Sequence, residues 1–104
     1  MAENAEVSLQ PDGQVLVSGE LAFSTVVGLL ATSAPWFKSQ NALMFDLGGV
    51  DKTDSAGLAL LVEWMGLAKQ HDKQIGFVHI PRQMMDIARV SGLDQLLPVG
   101  QPTS

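Results

Sequence analysis

Cysteine is absent from these 104 residues, which excludes disulfide stapling, thiol chemistry and cysteine-ligated zinc. The absence fits a reducing cytoplasm. Cations are scarce: six Lys and Arg against eleven Asp and Glu leave a formal charge of −5. Nucleic acid is gripped by clustered Lys and Arg, so this balance argues against it as a partner. Long apolar runs are missing as well. No stretch approaches the ~20 residues that span a bilayer, and Glu63 interrupts the longest candidate. Met1-Ala2-Glu3-Asn4-Ala5-Glu6 has neither the basic start nor the apolar run of a signal peptide. The two histidines, His71 and His79, have neither the spacing nor the companion ligands of a metal site. The expectation is one acidic cytoplasmic domain spanning 1–104, with a core from about Val7 to Leu97 and a loose tail from Pro98. Any attachment to a membrane would go through another protein.

What is present reads as alternating strands and helices. Val7–Leu9 and Gln14–Ser18 flank a Pro11-Asp12-Gly13 turn and predict a hairpin. Ser24 or Thr25 can cap a helix carrying Val26, Val27, Leu30 and Ala34, which Pro35 ends. Trp36 and Phe37 are expected to fold back onto the core. Ala42-Leu43-Met44-Phe45 is continuously apolar, as in a strand covered on both faces. Gly48 and Gly49 predict a loose turn before a helix from about Ser55 to His71. In that helix Leu58, Leu61, Val62, Met65 and Ala68 form the core stripe. Leu60, Trp64 and Leu67 form a second apolar stripe, rotated around the axis. Either it packs on the next helix, or it is a patch that a partner covers, with Trp64 as anchor. Ile75–Ile80 predicts a strand. Pro81 opens a short helix carrying Met84, Met85, Ile87, Ala88 and Val90, and Gly92 closes it. Leu93, Leu96 and Leu97 read as a final packed turn. The predicted order is β-β-α-β-α-β-α.

The most informative stretch runs from Asp46 to Leu58, where a strand ends and a helix begins. Ser55 lies at that junction, on a helix N-terminus whose free N–H groups and dipole favour negative charge. As a plain N-cap it would contribute about 1 kcal/mol. Alternatively its hydroxyl is a group that a partner reads or a kinase modifies. Asp51 and Asp54 oppose modification, since a phosphate adds roughly −1.5 to −2 charge. Asp46, Asp51 and Asp54 suggest a Mg²⁺ site by composition, yet Asp is equally a turn or cap residue. No Ser-His-Asp set, phosphate loop or paired-carboxylate site can be assembled. The chain therefore reads as a non-enzyme, with no catalytic residue, cofactor or metal.

Phe45-Asp46-Leu47-x-x-Val50-x-x-x-Asp54-Ser55-x-Gly57-Leu58 resembles the signature of the STAS domain, the fold of anti-sigma factor antagonists. The resemblance covers about Val7 to Leu97. It implies an α/β fold, a small mixed sheet with helices packed on one side. It also implies that Ser55 stands where antagonists carry the serine that a partner kinase phosphorylates. Gly57-Leu58-Ala59-Leu60-Leu61, Leu67-Ala68-Lys69 and Leu93-x-x-x-Leu97-Pro98 resemble, more narrowly, the branch typified by MlaB. That branch supplies the small cytoplasmic STAS subunit of the Mla phospholipid ABC transporter, which maintains outer-membrane lipid asymmetry. The resemblance implies docking on the ATPase subunit (MlaF-like) and, through it, a place beside the membrane permease at the inner membrane. The docking residues would be Thr53, Asp54, Ser55, Ala56 and Gly57, with Leu60 and Trp64 on the following turns. Two departures stand out. MlaB proteins usually carry threonine at the position of Ser55, and many STAS sequences have an apolar residue at that of Thr53.

Overall fold

Leu43, Phe45 and Leu47 are fully buried, while Ala42, Met44 and Asp46 between them are only half-buried. The apolar run around residue 43 is thus an alternating strand whose one face is covered, not a strand covered on both faces. In the computed structural model, which describes residues 4–100, that strand is the third of four. The elements are β1 (Ala5–Leu9), β2 (Gln14–Leu21), α1 (Phe23–Ser33), α2 (Trp36–Ser39), β3 (Ala42–Thr53), α3 (Ser55–Gln70), β4 (Gln74–Val78) and α4 (Arg82–Val90). The single turn α2 is absent from the predicted order.

The sheet order is β1-β2-β3-β4, with β1 antiparallel to β2 and the other neighbours parallel. The hairpin forms where Asp12-Gly13 places it: Asp12 Oδ1 accepts the Gln14 N–H at 3.0 Å, and Gly13 takes φ +89°. The strand after it runs beyond Ser18 to Leu21. Gly19 makes this possible, because a Cβ there would overlap the Asn4 carbonyl oxygen. The helices cover one face of the sheet, and Val15, Val17, Leu43, Phe45, Leu47, Ile75 and Phe77 point into the core there. Phe37 does fold back, its ring stacked 6.1 Å from Phe45.

Trp64 closes the centre. It is 0% exposed, stacks on Phe45 at 4.1 Å and donates its indole N–H to Ser33 Oγ at 2.8 Å. Ser33 Oγ in turn donates to the Leu29 carbonyl at 2.8 Å, so both polar groups are satisfied in the dry interior. The second apolar stripe of α3 therefore faces the sheet and α1. Trp64 is a core residue and not an anchor for a partner. Val62, assigned to the core stripe by spacing, is exposed instead, as are Val90 and Leu96. The segment after Leu97 is tied down: Phe77 N–H donates to Pro98 O at 2.9 Å, and Gly100 N–H to Phe77 O at 2.7 Å. Residues 101–104 of the expected tail lie outside the described residues.

Asp46 faces the uncovered side of the sheet, where its Oδ1 accepts from Gly48 N–H at 2.8 Å and meets His79 Nδ1 at 2.9 Å. His79, isolated in sequence, thus has a partner, and it takes a left-handed φ of +57°. Burial pushes the Asp46 carboxyl up. The hydrogen bonds from His79 and Gly48, with the imidazole charge, outweigh that and hold it below the ordinary 3.8. A carboxyl whose folded pKa is depressed stabilises the fold above its unfolded pKa and ceases to do so as pH falls through the folded one. Wild type is therefore expected to exceed Asp46→Asn in stability at neutral pH. The gap should close in acid, below pH 3.8. Urea midpoints across that range measure it, and a gap that persists in acid would exclude the carboxylate as its source.

Candidate docking site

The β3–α3 junction is stiffer than its glycines suggest. Gly48 and Gly49 lie within β3, not in a turn, and β2 stays paired with β3 through Leu21↔Thr53. Two register shifts, between Leu16 and Ser18 and between Gly19 and Glu20, absorb the extra residues of the longer strand. β3 then stops at Asp54, whose extended backbone (φ −132°, ψ −162°) makes it the N-cap of α3. Asp54 Oδ1 accepts the Ala56 N–H at 2.8 Å. Ser55 is the first helical residue and not the cap. Its side chain is exposed, so the hydroxyl stands on the outside of the helix start. Asp54→Ala is expected to cost about 1 kcal/mol of stability, whereas Ser55→Ala should stay within about 0.5 kcal/mol. Denaturant titration of both variants tests this, and the reverse order would return the cap to Ser55.

Beneath the exposed pair, Thr53 is buried, and its Oγ1 fills the space that a side chain on Gly57 would need. A methyl on Gly57 would overlap Thr53 Oγ1 and lie 3.0 Å from Met84 Cε. Thr53 and Gly57 therefore seat the first turn of α3 against the end of the sheet. Asp54, Ser55 and Ala56 are what that turn presents.

Beside them lies a surface that periodicity missed. Phe23 is 84% exposed and Val27 69%, both on α1. A groove of about 320 Å³ runs between α1 and α3, lined by Phe23, Val27 and Leu30 on one side and Ala56, Ala59 and Glu63 on the other. Leu60, 2% exposed, forms its floor, so it backs the groove and does not reach across to a partner. One signal in the sequence marked this surface: Phe23–Ser33 contains no charged residue. Solvent-facing helices ordinarily carry charge on the outer side, and depletion of charge beside an exposed aromatic marks the centre of an interface. The Asp residues do not gather. Asp46 is held by His79 and Asp54 by its cap, and no group of three His, Asp or Glu among the described residues could hold a metal ion. No helix among them is long and apolar enough to cross a membrane.

The family model described as "Mlab, STAS domain" matches residues 6–98. The chain is a STAS domain. SpoIIAA, an anti-sigma factor antagonist solved in its unphosphorylated form, is similar over 93% of this chain and 88% of its own, with TM-score 0.70 and 14% identity. An anti-sigma factor antagonist from Mycobacterium paratuberculosis matches over 91% and 82%, with TM-score 0.66 and 24% identity. At such identities the likeness establishes the fold, the mixed sheet with its helices on one side. A search of curated proteins gives no match. In this STAS domain the signature residues Asp54 and Ser55 are exposed on the first turn of α3, Gly57 is buried beneath them, and the α1–α3 groove opens beside that turn.

Proposed function

We propose that this STAS domain is the non-enzymatic cytoplasmic subunit of a phospholipid ABC transporter that maintains outer-membrane lipid asymmetry. It docks on the MlaF-like ATPase through the Asp54–Ala56 turn and the α1–α3 groove. The observation that carries the reading is the match of residues 6–98 to the family model described as "Mlab, STAS domain". The uncharged α1 surface with its exposed Phe23 and Val27 supports a lasting interface, because apolar area left in water has a standing reason to be covered. Mechanistically the domain acts by binding alone. It presses a rigid helix start and a groove against the ATPase and stabilises the assembled state by mass action.

A second reading follows from the structural neighbours, which are anti-sigma factor antagonists. In it the exposed Ser55 is phosphorylated by a partner kinase and binding is switched off. Affinity capture of the tagged chain from its own cells, followed by mass spectrometry, separates the two. Recovery of a transporter ATPase with its permease supports the first. Recovery of an anti-sigma kinase in their place overturns it.

A further inference from the structure

Glu63 is the one charged residue that lines the α1–α3 groove, so whatever fills the groove must meet it. It lines the α1–α3 groove, and it also lines a second groove of about 340 Å³ between α3 and α4, formed with Leu58, Val62, Ile87 and Leu93. It therefore stands on the ridge between the two. Around it α1 contributes no charge, and α3 from Ser55 to Gly66 contributes none besides Glu63. Among the described residues the ion pairs are Asp46 with His79 and Asp86 with Arg89, and Glu63 has no partner there. A partner that closes over Phe23 and Val27 removes water from Glu63. A carboxylate desolvated without a counter-charge is strongly unfavourable.

We propose that the ATPase presents an apolar wedge to the α1–α3 groove with an arginine or lysine beside it that pairs with Glu63. This rests on the docking reading above. Arginine suits the position better, because its planar fork binds a carboxylate through two parallel hydrogen bonds and is the more weakly hydrated cation. The wider surface is acidic on balance. Asp51 and Asp54 are exposed at the neighbouring helix start, although Lys52 is exposed there too, and the chain as a whole is acidic. A basic partner face is therefore also steered toward it. Glu63 thus sets which partner is accepted, while Phe23 and Val27 supply the apolar area.

The test titrates the purified chain and three variants against the MlaF-like ATPase of the same cells by calorimetry, at low and raised salt, with circular dichroism to confirm folding. Glu63→Gln is expected to weaken binding at least about thirtyfold, the scale for truncating one side of a desolvated ion pair. It should also flatten the salt dependence. Glu63→Arg should abolish binding, and reversing the ATPase's matching cation to glutamate should restore it. Phe23→Ser is the control for the site. If Phe23→Ser weakens binding and both Glu63 variants bind like wild type, the pairing is wrong and the docking site stands. If all three bind like wild type, or the wild-type chain does not bind the ATPase, the docking reading falls and the pairing with it.

Discussion

Trp64→Ala is expected to lower the stability of the domain by about 3–5 kcal/mol, the range for removing a buried aromatic side chain. Three losses coincide. The indole vacates the largest fully buried position in the core, its stacking on Phe45 disappears, and Ser33 loses a donor across the α1–α3 interface. Ser33 keeps its bond to the Leu29 carbonyl, so no buried hydroxyl is orphaned and the cost is mainly cavity and packing. Trp64→Phe should cost distinctly less, because it restores most of the volume and loses chiefly the N–H donor. Urea unfolding followed by far-UV circular dichroism reads both variants, and Trp36 remains as a fluorescence reporter. A loss below about 1 kcal/mol for Trp64→Ala would mean that the indole does not fill the core as described.

Gly57→Ala should destabilise by about 2 kcal/mol, against the usual direction for this change. In an exposed helix interior alanine is favoured over glycine by about 1 kcal/mol. Here the new methyl would overlap Thr53 Oγ1 and lie 3.2 Å from Leu21 Cβ, and overpacking typically costs about 1–3 kcal/mol. Met84 Cε is the tip of a flexible side chain and can give way, whereas Thr53 is fixed by its strand. The explanation predicts a rescue: in the Thr53→Ala background the same Gly57→Ala change should cost much less. A double-mutant cycle from denaturant midpoints measures the coupling. Additive effects, or a Gly57→Ala protein more stable than wild type, would show that Thr53 does not hold the glycine in place.

Strand and helix positions were largely legible in the sequence, because each element carries a period that its burial demands. The Asp12-Gly13 hairpin, the helix beginning at Ser55, the strand near Ile75 and the helix after Pro81 all lie where turn chemistry and apolar spacing put them. The misses share a cause. Periodicity says that a face is apolar but not what covers it, so Trp64 could be read as an anchor and the exposed Val27 as an ordinary helix residue. Phe23 fell before the expected cap at Ser24 or Thr25, although the helix is capped by Ala22 and begins at Phe23. Gly48-Gly49 read as a turn because glycine permits one. The long parallel pairing with β2 overrode that local freedom. Ser55 was read as a cap because serine caps well, and the adjacent Asp54 does so instead. The pairing of Asp46 with His79 spans 33 positions and leaves no local trace.

The order of the strands bears on how the chain comes into being. Each strand neighbours the one made just before it, so during synthesis every new strand meets a partner already extruded. The sheet can grow by accretion from the hairpin outward, with β1 as a fixed outer edge, a second edge that advances with each new strand, and no earlier pair to be prised apart. The advancing edge is the longer-lived hazard on the growing side, since bare strand borders invite foreign chains. Residues Pro98 to Gly100 shut it at Phe77, and they do so last. The interval between the making of Phe77 and the arrival of Gly100 is thus the period when the nascent domain is most open to unwanted pairing.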